Sequence, residues 1–294
     1  MERYVTAVLG IIGGSGIYEI EGLGQLQWET VSSPFGDPSD QLLFGELEGQ
    51  KLIFLPRHGR GHTLSPSAIN YRANIDVLKR AGVTEILSLS AVGSFKEKLA
   101  PGTFVVIDQF IDRTRNRVKT FFERGVIAHV SMAHPICERL ANLAYDSARD
   151  LGLNVVRGGT YLAMEGPQFS TLAESKLYKS WGCDVIGMTN LPEASLAREA
   201  EICYATVGMV TDYDCWHPDH DAVQVADIVR VLLANADNAR TLVKQIAPKI
   251  HPLERPCPSG CHRALEDAII TGPDARDPSV LRTLDAVAGR VLQP

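Results

Sequence analysis

Ile202-Cys203-Tyr204-Ala205-Thr206-Val207-Gly208-Met209-Val210 runs without a charge and is followed at once by Thr211-Asp212-Tyr213-Asp214. A short, charge-free run rich in β-branched and apolar residues reads as a strand buried in a sheet. The stretch before it, Pro192 to Glu201, reads as a helix, and Val223 to Ile246 after it reads as a long one. The same alternation repeats toward the N-terminus. Val8 to Ile12, Lys51 to Leu55, Ile86 to Leu89, Phe104 to Ile107, Val155 to Ala163 and Val185 to Met188 read as strands. Asn70 to Ala81, Cys137 to Leu151 and Leu172 to Trp181 read as helices between them. Strands and helices alternating in this way predict a three-layer α/β fold, a central sheet flanked by helices. Residues 1–250 are expected to form the main domain, and 251–294 a C-terminal extension on or near it. Pro248, Pro252, Pro256 and Pro258 interrupt the pattern there. A short helix is expected near Cys261 to Ile270, and a loosely attached tail from Thr271.

The apolar runs stop at clusters of small or polar residues, and in open α/β sheets ligands bind beyond the carboxyl ends of strands. The first run ends in Gly13-Gly14-Ser15-Gly16, where backbone N–H groups and a hydroxyl can approach an anion. It is neither a P-loop nor a dinucleotide fingerprint, and alone it is equally a plain turn. The second ends in Arg57-His58-Gly59-Arg60-Gly61-His62, which offers arginine forks suited to phosphate oxygens. Its glycines argue against a helix that would bring His58 and His62 onto one metal. The third ends in Ser90-Ala91-Val92-Gly93-Ser94. Together the three predict a phosphate site of hydroxyls, an arginine, an imidazole and backbone amides. Glu165-Gly166-Pro167-Gln168-Phe169-Ser170 adds an aromatic that can stack on a flat ring. Asp212 and Asp214, two apart at a strand end, are expected to point to one side. Burial beside a like charge would let one of them hold a proton.

Composition narrows the partners. Of 294 residues, 45% are hydrophobic and 22% charged, with a formal net charge of −6, so a large core forms without staples and neither nucleic acid nor an anionic membrane is an expected partner. No apolar stretch suits a signal peptide or a membrane span, and a cytoplasmic protein with reduced cysteines is expected. Cys257-Pro-Ser-Gly-Cys261-His262 invites a zinc reading, but no second Cys or His pair lies nearby at finger spacing. No metal is therefore expected, and a local disulfide or free thiols are preferred.

Taken in order, Gly13-Gly14-Ser15-Gly16, Pro56 to His62, Asp108-Gln109-Phe110-Ile111-Asp112-Arg113-Thr114, Glu165 to Ser170 and Thr211-Asp212-Tyr213-Asp214-Cys215-Trp216 resemble the 5'-methylthioadenosine phosphorylases, within the trimeric purine nucleoside phosphorylases. The resemblance runs from about Val8 to Ile246. It implies a mixed central sheet of the purine nucleoside phosphorylase type. It also implies phosphorolysis of methylthioadenosine to adenine and 5-methylthioribose-1-phosphate, with phosphate as co-substrate and no cofactor. By the same resemblance Ser15, Arg57, His58, Ser90, Ala91 and Thr189 hold phosphate. Phe169, Ser170 and Met188 line base and ribose, Asp212 and Asp214 read the base, and Val225 and Ile228 wall the 5' substituent. His129 is lent to a neighbouring subunit's site in a homotrimer. Asp212 is the expected proton donor to purine N7. A carboxylate accepts from a 6-amino group, which favours adenine over 6-oxo purines. The rival readings are a methylthioinosine or general purine nucleoside phosphorylase, a hydrolase, and a non-catalytic nucleoside-binding protein.

Overall fold

The computed structural model describes residues 7–14, 16–217, 225–250 and 257–292, with the backbone alone at 225–228 and 230. Its strands are β1 (Leu9–Gly13), β2 (Gly24–Glu29), β3 (Leu42–Leu47), β4 (Gln50–Pro56), β5 (Glu85–Ser94), β6 (Phe104–Val106), β7 (Gln109–Asp112), β8 (Val155–Arg157), β9 (Thr160–Ala163), β10 (Val185–Gly187) and β11 (Cys203–Asp212). Its helices are α1 (Tyr71–Arg80), α2 (Glu138–Asp150), α3 (Leu172–Ser180), α4 (Asn190–Glu199), α5 (Val225–Ile246), α6 (Pro278–Thr283) and α7 (Asp285–Leu292).

The long strands β5 and β11 lie parallel at the centre, in register from Glu85 beside Cys203 to Gly93 beside Asp212. The first half of β5 also pairs with β1 in parallel, while its last residues turn away to pair antiparallel with β10. The sheet therefore forks at β5. One path runs β2-β3-β4-β1-β5-β10-β9-β7, and the branch runs through β11, β6 and β8. Parallel and antiparallel pairs are mixed, as expected of this fold class. β1 and most of β11 are buried along their length, which is why they read as unbroken apolar runs.

Helices flank the sheet. α1 packs on α4, α2 packs on α5, and β11 touches α2, α4 and α5. The side chain of Asn70 accepts the N–H of Ala73 at 3.1 Å and so caps α1. Thr171 and Glu174 form a reciprocal capping box that starts α3.

Three expectations need correction. Val155 to Ala163 is not one strand: Gly158 and Gly159, at φ 85° and 155°, break it into β8 and β9, which pair with different neighbours. The strands β2, β3 and β7 carried no expectation; β2 is largely exposed and lacks the apolar run of a buried strand. The tail from Thr271 is not loose. α7 packs on α1, Leu284, Val287 and Ala288 are buried, and Arg290 pairs with Glu201 at 2.7 Å. Near Cys261 the chain makes a short 3-10 turn, Cys261–Arg263, rather than a longer helix.

Candidate active site

The ends of β1, β4, β5, β10 and β11 bring the small-residue clusters to one side of the sheet. At the end of β4, Arg57 is buried, and its guanidinium grips the Glu193 carboxylate of α4 with Nε at 2.7 Å and Nη2 at 3.1 Å. Nη2 also donates to Ser88 Oγ at 2.6 Å and Nη1 to the Leu89 carbonyl at 3.0 Å. The buried carboxylate and these acceptors hold Arg57 charged. Most of its donors are thus spent on protein, and the fork sits beneath the site rather than lying open to an anion.

His58 follows directly. Its Nδ1 lies 2.9 Å from the Leu64 carbonyl, which only accepts, so Nδ1 carries the hydrogen and Nε2 keeps its lone pair. Burial, helped by the Arg57 charge, lowers its pKa to about 4, so the ring is neutral. It stacks on His62, with ring centroids 4.2 Å apart. Gly59 and Gly61 take φ of 71° and 80°, and the segment is a turn, as its glycines predict. In β5, Ser90 is buried, and its hydroxyl faces that of Thr189 at 3.3 Å. Ala91 beside it is half-buried. Thr189 stands just beyond β10, and its N–H donates to Tyr161 Oη at 3.3 Å. That approach requires Gly187, where a Cβ would lie 2.0 Å from the same phenol oxygen. Ser15, the remaining phosphate candidate, lies outside the described residues.

At the end of β11 the sheet register shifts between Val210 and Asp212, so Thr211 bulges. Its hydroxyl lies 2.7 Å from Asp212 Oδ2 and 3.2 Å from the Val92 carbonyl. Asp214 has φ of 52°, and its N–H donates to Asp212 Oδ1 at 2.7 Å. The two aspartates are therefore joined by a tight turn and not, as expected, set along the pleat of an extended strand. A Cβ at Gly93 would come within 2.9 Å of Asp212 Oδ1, so glycine there makes room for the carboxylate. Burial raises the Asp212 pKa, against the hydrogen bonds from Thr211 and the Asp214 N–H. Burial also pushes Asp214 up to about 6, with the Asp212 charge adding to the effect. Asp214 is 6% exposed and Asp212 is half-buried, which leaves Asp212 the more accessible of the two.

The Glu165 to Ser170 loop lies against this turn: the Cys215 thiol donates to the Ser170 carbonyl at 3.4 Å. Phe169 is 44% exposed. Met188 is half-buried against Gly166, where a Cβ would lie 2.5 Å from its sulfur. Two residues that the sequence reading passed over support these groups. Glu193 balances Arg57. Arg117, also buried, donates to the carbonyls of Met188 at 2.5 Å, Leu191 at 2.8 Å and Glu165 at 2.8 Å, tying three loops together. Neither belongs to a local motif, and their partners lie far away in sequence. His129 is exposed and lines a different groove of about 570 Å³, with Phe110, Lys119, Met132 and Glu199, away from Asp212 and Arg57. The side chains of Val225 and Ile228 lie outside the described residues.

The model of the phosphorylase superfamily matches residues 8–248. The chain is 64% identical to the S-methyl-5'-thioadenosine phosphorylase of Rhodospirillum rubrum over 99% of each chain. The chain belongs to the methylthioadenosine phosphorylases of the phosphorylase superfamily. Among solved structures, a methylthioadenosine phosphorylase from an Antarctic soil metagenomic library superposes with a TM-score of 0.90 at 44% identity, over 96% of this chain and 99% of that one. The methylthioadenosine phosphorylase of Schistosoma mansoni in complex with adenine superposes with a TM-score of 0.78 at 36% identity, over 83% and 92%. Membership in the methylthioadenosine phosphorylases accords with the forked mixed sheet and with the strand-end clusters. No helix among the described residues is long and apolar enough to cross a membrane.

Proposed function

We propose that the protein catalyses phosphorolysis of S-methyl-5'-thioadenosine, giving adenine and 5-methylthioribose-1-phosphate. The observation that carries this reading is the Asp212–Asp214 turn at the end of β11, set against the Ser90–Thr189 hydroxyl pair. Asp212 sits beside Gly93, three residues along β5 from Ser90. At about 3.3 Å per residue that is roughly 10 Å, enough for a ribose between base and phosphate.

The glycosidic bond breaks as phosphate approaches the anomeric carbon, and positive charge develops on the sugar. The Ser90 and Thr189 hydroxyls and the Ser15 loop hold the phosphate. Arg57 supplies a fixed positive charge from beneath, kept rigid by Glu193. His58 is neutral, and its Nε2 lone pair suits a phosphate hydroxyl. The purine leaves as an anion unless a proton reaches N7. Burial raises the pKa of both carboxyls, Asp214 to about 6, so this turn holds a proton at mildly acidic pH. The half-buried Asp212 delivers it to N7, and Asp214 accepts from the 6-amino group. Phe169 stacks on the base, Ser170 and Met188 flank base and ribose, and Val225 and Ile228 enclose the methylthio group. Phosphate is the co-substrate and no cofactor enters. We place the enzyme in the cytoplasm as a homotrimer in which His129 completes a neighbouring subunit's site.

A substrate panel tests this. Methylthioadenosine, adenosine, inosine and methylthioinosine are each offered with and without phosphate. The strongest turnover is expected with methylthioadenosine plus phosphate. Turnover of the 6-oxo nucleosides alone, or turnover independent of phosphate, would overturn the proposal.

A further inference from the structure

Four cysteines far apart in sequence meet behind the sheet. Cys137 is the residue that starts α2, Cys203 begins β11, and Cys257 and Cys261 flank a turn in the C-terminal segment. All four are buried, and their Sγ atoms lie within 4.8 Å of one another. Cys137 and Cys257 Sγ are 3.6 Å apart. A tetrahedron of sulfurs about zinc, with Zn–S near 2.3 Å, has edges of about 3.8 Å. Four thiols in one shell match that shape. Two disulfides would instead divide them into two bonded pairs.

The surroundings suit thiolates. The Cys257-Pro-Ser-Gly-Cys261 turn closes with the Gly260 N–H donating to the Cys257 carbonyl at 2.9 Å, and Gly260 takes φ of 66°. That conformation turns two sulfurs back toward one point, and the spacing lies within the range of zinc ligand pairs. An Arg198 Nη1 lies 3.6 Å from Cys261 Sγ, a donor of the kind that orients a metal-bound thiolate and offsets its charge. Cys137 sits at the N-terminus of the α2 helix, where the peptide dipoles favour a thiolate. The Cys257–Cys261 turn lacks a second pair nearby in sequence; folding brings Cys137 and Cys203 to it.

We propose that Cys137, Cys203, Cys257 and Cys261 bind one structural zinc ion that fastens the C-terminal segment to the core. On binding, the four thiols lose their protons and each sulfur donates a pair to the ion, with no oxidant required. The fastened segment runs on to residues 268–270. There the Ala268 carbonyl accepts the His129 N–H at 2.9 Å, and the Ile270 N–H donates to Ile127 at 2.9 Å. The ion thus steadies the segment that carries His129.

The test measures metal in the full-length protein, purified with reductant and without chelator. Elemental analysis is expected to find about one zinc per chain. The double variant C257S/C261S is expected to fall to background zinc and to lose thermal stability. C183S, which alters a buried thiol elsewhere in the core, is expected to keep its zinc. Cobalt loaded into chelator-stripped wild-type protein is expected to give the sulfur-to-metal charge-transfer bands of a tetrathiolate site, a readout that does not depend on activity. Zinc absent from the wild type, with no cobalt or zinc uptake by the reduced apoprotein, overturns the proposal. Peptide mapping that finds these cysteines joined as disulfides in freshly prepared protein overturns it as well. Both outcomes are read on the wild type, so a double variant that fails to fold leaves the test intact.

Discussion

The backbone N–H of Asp214 donates to Asp212 Oδ1 at 2.7 Å, in a turn where Asp214 has φ of 52°. One hydrogen bond thus ties the Asp214 backbone to the Asp212 carboxylate. On the proposed reading, Asp212→Asn removes the carboxyl that protonates N7 and puts an amide beside the purine edge that Asp214 reads. Its kcat/KM for methylthioadenosine is expected to fall about 10²–10⁴-fold, the usual range for loss of a general acid. The ratio of 6-amino to 6-oxo turnover is expected to fall as well. An unchanged ratio on the substrate panel would remove Asp212 from base recognition.

Arg57 and Glu193 form an ion pair with both side chains almost fully buried, at 3% and 2% relative exposure. Taking away one partner leaves the other charge stranded in the interior. Glu193→Ala is expected to lower stability by about 3–5 kcal/mol in urea denaturation. Where it folds, its KM for phosphate should rise more than its KM for nucleoside, because Arg57 loses its fixed position. Equal effects on both would mean that Arg57 does not serve phosphate.

Gly187 leaves room for Tyr161 Oη, which accepts the Thr189 N–H. Gly187→Ala forces the ring or the strand to shift, at a cost of about 1–3 kcal/mol. Thr189 moves with it, so phosphate KM should rise alongside the loss in melting temperature. Adding Tyr161→Phe removes the closest clashing atom and should restore part of the stability. A double variant no more stable than the single would discount the contact.

Glu199 is buried, accepts the Phe121 N–H at 2.8 Å and the Thr120 hydroxyl at 2.7 Å, and burial pushes its pKa up to about 7. Folding therefore favours its neutral form. That contribution is fully present below about pH 4.5, the value for the unfolded chain, and is lost as pH rises through about 7. Glu199→Gln stays neutral and satisfies both partners, its amide oxygen accepting the Phe121 N–H and its amide N–H donating to the Thr120 hydroxyl. Its melting temperature is expected to exceed the wild type's at pH 8.5 and to match it near pH 5, with a difference of about 3 kcal/mol at most. A pH-independent gap would indicate packing rather than ionisation.

The strand ends were legible in the sequence because a buried parallel strand must be apolar throughout and must stop where the chain turns to meet a ligand. That single constraint located β1, β4, β10 and β11 to within a few residues, and only the first half of β5, whose strand runs on through Ser90 to Ser94. The exposed strand β2 left no such mark, and β8 and β9 merged into one run because Gly158 and Gly159 interrupt a chain that stays apolar on both sides. The tertiary structure alone decided what each group faces. Arg57 looked like an open phosphate fork and is spent largely on Glu193, 136 residues away. The aspartates looked like neighbours on a pleat and are joined by a turn, because β11 ends at Asp212 and Asp214 takes a φ of 52°. The four cysteines, spread over residues 137–261, share one buried shell. Local pattern reports burial and chain direction, which neighbours along the chain determine. Pairing of charges, hydrogen bonds and metal-binding thiols depends on distances that exist only once the sheet has formed.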